Sequence, residues 1–206
     1  MQIRVGAGRP TMKTLPEIHL SYPDWVPQFV NWDTPYPNAD DRMKLVIGLA
    51  RENVLRDTGG PFGAAVFDVT SGNVVAVGVN LVVREHNSVL HAEVVALLMA
   101  CQRLSSHTLD APGMPVHEMT ASCEPCAMCL GAVLWSGAKR LVCGAAREDA
   151  ARVGFDEGPV FPESYRYLED RGIEVERGIM RTEAAEVLDL YLDRGGEIYN
   201  GRNLFH

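Results

Sequence analysis

Residues 122–137 of this 206-residue chain read SCEPCAMCLGAVLWSG, and the fold assignment starts from them. A strand pattern ends before Pro125, and a short apolar helix is predicted over residues 126–136. Proline suits the first position of a helix, because the N–H that it lacks would be unpaired there. Cys126 and Cys129 are three residues apart, so a helix would project both thiols from one face. A helix N-terminus favours their thiolate forms, which are the forms that bind metal ions.

The segments on either side of this motif carry strand and helix patterns. Apolar residues at helical spacing predict an amphipathic helix over residues 40–57, which is ended by the turn at 58–61. Two apolar, β-branched runs at 62–69 and 73–80 predict a hairpin. A helix at 91–104 is apolar on every face and is therefore expected to be buried on both sides. The remaining predicted elements are strands at 117–122, 139–144 and 173–177 and helices at 146–153 and 182–194.

A hairpin followed by alternating strands and helices is typical of a mixed sheet covered on both faces. The sequence therefore predicts an α/β fold with three layers, α/β/α, and a five-stranded mixed sheet. Residues 39–206 would form this domain.

Residues 1–38 differ from the rest of the chain. Six of the twelve prolines lie there, interleaved with aromatic residues. Prolines at this density exclude a long helix or a central strand, and the aromatic side chains are unlike those of a disordered tail. We expect an ordered arm that packs on its own domain or on a partner subunit.

The overall charge argues against nucleic acid as the main ligand. The chain has 19 Lys and Arg against 27 Asp and Glu, which gives a net charge of -8, and an acidic protein repels phosphate backbones. The longest uncharged run has 15 residues, whereas a membrane helix needs about 18 apolar residues. The first twenty residues contain no signal-peptide core, so we expect a cytoplasmic protein.

The cysteines indicate metal chemistry. Their number is five, which is odd, and three of them fall within seven residues. Thiols in the cytoplasm stay reduced and available as ligands. No glycine-rich phosphate-binding pattern is present, so a nucleotide cofactor is not expected.

A second segment, His91-Ala92-Glu93, lies at the start of a predicted helix and completes the metal site. His91, Cys126 and Cys129 would bind one zinc ion and leave one tetrahedral position for water, as in catalytic zinc sites. Zinc lowers the pKa of such a water to about 7. Glu93 follows the ligand by two residues, so it would face the water without binding the metal. As a proton carrier it would contribute about 100- to 10,000-fold in rate.

Two other metal sites are compatible with three clustered cysteines. Cys123 as a fourth ligand would close a structural zinc site, but that reading leaves the His-x-Glu spacing unexplained. An iron–sulfur cluster would need a further cysteine where Val133 stands, which excludes it.

Four segments together resemble the guanine deaminase branch of the cytidine deaminase-like superfamily. They are GGPFGAAVF (59–67), HAEVVAL (91–97), SCEPCAMCLGAVLWSG (122–137) and GFDEGP (154–159), and they contain the H-x-E and P-C-x-x-C signature of zinc deaminases. The resemblance covers about residues 40–200. It implies one zinc ion per chain, a homodimer that often exchanges C-terminal segments, and hydrolysis of guanine to xanthine and ammonia.

The resemblance also implies roles for individual residues. Zinc would be held by His91, Cys126 and Cys129, and Glu93 would carry the proton. Asn80 would bind the purine through its amide, unless it only forms a turn at the strand end. Glu157 would assist departure of the amine, unless it is a solvated loop acid. Further residues expected at the substrate pocket are Phe62, Ala92, Trp135 and Phe155, with His86 at its border.

Other functions stay open at this point. A sister branch deaminates adenosine in transfer RNA, and the net charge and the Ser-Cys pair before Glu124 disfavour it. A triazine, cytosine or guanosine is an alternative small substrate. A structural-zinc interaction protein is the non-enzyme alternative, and Glu93 argues against it.

Overall fold

A computed structural model of the chain describes residues 17–200. Residues 1–16 of the predicted N-terminal arm lie outside this range. Within it, the elements in chain order are α1 (Val26–Phe29), α2 (Ala39–Leu55), β1 (Gly63–Asp68), β2 (Val74–Val79), α3 (Ala92–Leu104), β3 (His117–Cys123), α4 (Ala127–Ser136), β4 (Arg140–Ala145), α5 (Arg147–Arg152), α6 (Pro162–Asp170), β5 (Glu174–Arg177) and α7 (Arg181–Asp193).

The five strands form one mixed sheet in the order β2-β1-β3-β4-β5. β1 pairs antiparallel with β2 and β3, whereas β3, β4 and β5 are parallel to one another. The predicted five-stranded mixed sheet is therefore confirmed. The ends of β2, β3 and β4 and the start of β1 lie at the same edge of the sheet, and this edge carries the metal-binding motif.

Helices cover both faces of the sheet, as the three-layer prediction requires. Alternate residues of β1 point to opposite faces: Ala65 and Phe67 join a core with α2, α5 and α7. Ala64 and Val66 join a second core with α3, α4 and α6. The two cores place the sheet between two helical layers.

Two expectations about the helices were wrong. Helix α6 was missed, although Pro162 at its first position and the buried pair Tyr165 and Leu168 at i, i+3 spacing are helix signals. Helix α3 is not buried on both sides, because its Leu98 is 50% exposed. α3 packs on β1 and β2 with one face, and its apolar outer face is open in the single chain.

The described part of the arm packs on its own chain, along the edge strand β2 and helix α2. Tyr22 Oη donates a hydrogen bond to the Val77 carbonyl at 2.7 Å, and the Tyr36 N–H donates to the Gly72 carbonyl at 2.7 Å. These contacts cover part of an edge that would otherwise expose unpaired backbone groups. Within residues 17–200, no helix combines the length and apolar character that a membrane crossing requires.

Candidate active site

Two helix starts face each other at the carboxyl edge of the sheet. His91 is the N-cap residue of α3, and Cys126 is the N-cap residue of α4. Both have extended backbone angles, so their side chains leave the helices at their first turns. The helix predicted to begin at Cys126 begins one residue later, and Cys129 lies in its first turn.

The predicted ligand set is brought together. His91, Cys126 and Cys129 each offer one ligand atom, and these atoms lie within 4.8 Å of one another. His91 Nδ1 is 3.5 Å from Cys126 Sγ. The hydrogen bond from the Cys129 thiol, helped by His91, lowers the pKa of Cys126 to about 4. One imidazole and two thiol groups, with a thiolate among them, are the donor set of a three-ligand zinc site.

Cys123 does not belong to this group. Its Sγ is directed to the Ala146 carbonyl at 3.8 Å, and burial raises the pKa of this thiol well above its usual range. A thiol that points away from the other three ligand atoms is a poor fourth ligand. The geometry therefore favours an open site over a closed structural one.

Two carboxyl groups, the buried Glu93 and the half-buried Glu157, face the same pocket as the ligands. Glu93 lies in the first turn of α3, and burial raises its pKa. Burial, followed by the charges of Cys126 and Glu93, raises the pKa of Glu157 to about 8. The Glu157 backbone carbonyl accepts a hydrogen bond from Ala127 at 3.0 Å, which ties its loop to the start of α4. Acids with raised pKa values are suited to proton transfer near neutral pH.

Aromatic side chains form much of the pocket wall. Phe62 and Phe155 lie on it, with ring centroids 5.0 Å apart. The full lining is Phe62, Gly63, His91, Glu93, Ala121, Ser122, Cys123, Glu124, Cys126, Phe155, Asp156, Glu157 and Tyr199. The two rings meet edge to face, so they give the pocket an apolar wall next to the metal ligands and both acids.

Three of the residues expected at the pocket lie elsewhere. Trp135 is 84% exposed near the far end of α4, so its assignment to the substrate pocket is corrected. Ala92 is buried in the core beneath α3. His86 is exposed in the loop between β2 and α3. Each of these residues lies close in sequence to a metal-binding motif, but that closeness does not determine where its side chain points.

Asn80 is fully buried behind the pocket, at the end of β2. Its Oδ1 accepts a hydrogen bond from the Val82 N–H at 3.2 Å. Among residues 17–200 its Nδ2 has no hydrogen-bond partner. Buried polar atoms are nearly always paired, so this free donor indicates a ligand atom at the site.

Tyr199 was missed by the sequence analysis. The tail that follows α7 folds back over the site of its own chain, and the Tyr199 ring lies 5.3 Å from that of Phe155 and 6.4 Å from that of His91. The tail is anchored by Asn200, which accepts from the Asp156 N–H at 2.9 Å and donates to the Gly154 carbonyl at 3.0 Å. No local sequence pattern could predict that Tyr199 lies at the site, because it is about seventy residues from Cys129, the nearest metal-binding residue in the sequence.

Comparison with known proteins agrees with this geometry. The family described as the cytidine and deoxycytidylate deaminase zinc-binding region matches residues 37–145. The chain belongs to this family. The match includes His91, Glu93, Cys126 and Cys129, and it leaves the arm outside.

Similar members of this deaminase family include guanine deaminases. That of Bacillus subtilis (strain 168) is 38% identical over 136 residues, which cover 66% of this chain and 83% of that protein. The structure of guanine deaminase from Nitrosomonas europaea is 42% identical, with a TM-score of 0.81, over 85% of this chain and 96% of that one. A tRNA-specific adenosine deaminase of Buchnera aphidicola is 30% identical over 128 residues, or 62% of this chain and 77% of that protein. The resemblance found in the sequence is confirmed.

Proposed function

We propose that this protein is a zinc-dependent hydrolase that converts guanine and water to xanthine and ammonia. The proposal depends on one observation: the ligand set of His91, Cys126 and Cys129 lies in the same aromatic-lined pocket as two carboxylic acids. The similarity to guanine deaminases supports guanine as the base. Zinc bound to these ligands, one ion per chain, would supply a water acidic enough to act as the nucleophile.

Glu93 and Glu157 carry out different proton transfers. Glu93 takes a proton from the attacking water and passes it to the ring nitrogen beside carbon 2. Glu157, with a pKa of about 8, carries a proton near neutral pH and donates it to the departing amine. As the bond between carbon 2 and the amine breaks, the new hydroxyl on carbon 2 returns its proton to Glu157 and becomes a carbonyl of xanthine. One water proton thus ends on the ring nitrogen, the other restores Glu157, and the oxygen stays on carbon 2.

The pocket is suited to a free base. Phe62, Phe155 and Tyr199 surround it with aromatic side chains, and the unpartnered Nδ2 of Asn80 would donate to an acceptor on the base. The net charge of -8 favours a free base over transfer RNA.

The proposal includes a homodimer in the cytoplasm. Helix α4 contains no charged residue, and its outer face ends at the exposed Trp135. The neighbouring α3 adds the exposed Leu98. Exposed apolar patches of this kind mark protein interfaces. All five cysteines are free, which suits a reducing compartment.

The proposal is tested with a panel of guanine, adenine, cytosine, guanosine and transfer RNA, with ammonia release and zinc content measured on the same sample. We expect ammonia from guanine and a stoichiometry of about one zinc per chain. Glu93→Gln should keep zinc and lower turnover by about 100- to 10,000-fold. Glu169→Gln, at an exposed acid on α6, is the control. Full activity of Glu93→Gln would contradict the mechanism, and ammonia from another substrate alone would contradict the choice of base.

A further inference from the structure

A chain of hydrogen bonds connects the N-terminal arm to the substrate pocket. Trp25 Nε1 donates to Thr58 Oγ1 at 3.0 Å. The same hydroxyl donates to Asn53 Oδ1 at 2.7 Å. Asn53 Nδ2 then donates to two backbone carbonyls, those of Gly60 and Asn80, each at 2.9 Å. The chain starts in the arm and ends on Asn80, whose Nδ2 has no hydrogen-bond partner among residues 17–200.

The direction of each bond follows from the chemistry of the donors. An indole N–H only donates, so the Thr58 hydroxyl must accept from Trp25. Its single proton is then available for Asn53 Oδ1. With Oδ1 used as an acceptor, the Nδ2 group of Asn53 must face the two carbonyls. The two carbonyls only accept, so they require the Nδ2 group on their side. The Thr58 hydroxyl, itself held by the Trp25 N–H, supports the same orientation by donating to Oδ1.

Asn53 holds together two segments that border the pocket. Gly60 leads through Pro61 into Phe62 on the pocket wall, and Asn80 ends β2. The packing leaves little room for adjustment, because a Cβ at Gly59 would lie only 2.6 Å from Asn53 Nδ2. Asn53 is fully buried, so an amide turned the wrong way would place its oxygen against two carbonyl oxygens. The Asn80 backbone would have to move.

We propose that Asn53 is a positioning residue that sets the place of Asn80 for base binding, and that Trp25 and Thr58 fix its orientation. This rests on the proposed function, in which Asn80 contacts the base. The family match begins at residue 37, so the first donor of the chain comes from the arm outside the matched region. The arm thus takes part in substrate binding without touching the substrate.

The test measures binding of 8-azaguanine to the zinc-loaded full chain by calorimetry, with KM and kcat for guanine, at a temperature where circular dichroism shows each variant folded. Thr58→Val removes the hydroxyl but keeps the shape, and it should raise Kd and KM about 10-fold with little change in kcat. Thr58→Ser should restore wild-type binding. Trp25→Phe should raise Kd about 3-fold. Trp32→Phe is its control, because that indole donates to the Pro27 carbonyl within the arm.

A double-mutant cycle separates positioning from general stability. If Thr58 acts through Asn80, Thr58→Val should no longer weaken binding in an Asn80→Ala background. Equal effects in both backgrounds, or unchanged Kd in Thr58→Val and Trp25→Phe, would overturn the positioning role while leaving the proposed function intact. A wild-type protein that neither binds 8-azaguanine nor releases ammonia from guanine would overturn both.

Discussion

Glu157 is an acid in a loop, and its surroundings determine which protonation state it holds. Its neighbours in sequence, Asp156 and Gly158, are those of a solvated turn. The fold instead encloses it with Cys126 and Glu93, which both disfavour a further negative charge. An acid that stays protonated at neutral pH can serve as a proton donor.

Glu157→Gln should therefore lower turnover of guanine by about 100-fold or more, because glutamine cannot donate a proton to the amine. Zinc content and the unfolding midpoint should change little. Steady-state ammonia release measures the rate, and Glu169→Gln, at the exposed acid on α6, is again the control. A wild-type rate for Glu157→Gln would show that the residue is only a loop acid.

At the scale of elements, a buried ion pair joins helix α2 to the sheet. Glu118 on β3 is fully buried and accepts from Arg42 Nη1 at 3.0 Å. Arg140 on β4 lies 3.1 Å from the same oxygen. Arg42 Nε also donates to the Tyr36 carbonyl of the arm at 2.9 Å. One carboxylate thus connects the arm, a helix and two strands.

Removal of the Glu118 carboxylate should destabilise the protein. Glu118→Ala leaves the Arg42 charge buried without a partner, so the free energy of unfolding should fall by about 3 to 5 kcal/mol. Urea unfolding monitored by circular dichroism measures it. Glu174→Ala, at an exposed partner of Arg140, should change the stability by less than about 1 kcal/mol. Equal costs for the two variants would contradict this account.

A second link between elements depends on pH. The Asp149 carboxylate accepts from the Ala146 N–H at the start of α5 and from Arg181 Nε on α7 at 2.8 Å. The bond from Arg181 lowers the pKa of Asp149 below its ordinary 3.8. The stability from this carboxylate is therefore fully present above pH 3.8 and is lost as the pH falls through the lowered value.

Asp149→Asn should consequently destabilise the protein at neutral pH, and the difference from wild type should shrink at about pH 3. Unfolding free energies at the two pH values measure this change. Asp193→Asn, at an exposed acid near the end of α7, should show no such dependence. If Asp149→Asn lowered the free energy of unfolding equally at both pH values, the charge of Asp149 would contribute nothing to stability.

At the scale of the whole molecule, the outer face of α3 and α4 is the surface that we propose for the dimer. Leu98, Met128 and Trp135 are all exposed large apolar side chains on these two helices. α4 contains no charged residue, yet only its inner side is in the core. A second copy of the chain would bury the other side.

Trp135→Glu should weaken that dimer by about 30-fold or more, because a buried tryptophan at an interface is worth about 2 kcal/mol or more. Sedimentation equilibrium measures the dissociation constant. Leu192→Glu provides the control, since Leu192 is an exposed apolar residue on α7 in the other helical layer. An unchanged dimer in Trp135→Glu would place the interface elsewhere.

The features that were predictable are local in the chain. The hairpin before α3 follows from two apolar runs separated by a short turn. The His91 and Glu93 pair and the Cys126 and Cys129 pair are likewise close in sequence, and the spacing of three between the two cysteines places both thiols on one side of a helix start. Such patterns depend on backbone geometry, which is the same wherever the segment lies.

The tertiary structure alone settled the features that depend on distant segments. In the folded chain Trp135 points away from the pocket, Tyr199 lies at the pocket, and Asn53 is buried between the arm and Asn80. Each outcome depends on which surfaces meet once the sheet and the helices have packed. A local sequence pattern carries no information about those contacts, because burial and hydrogen-bond partners are supplied by residues far along the chain.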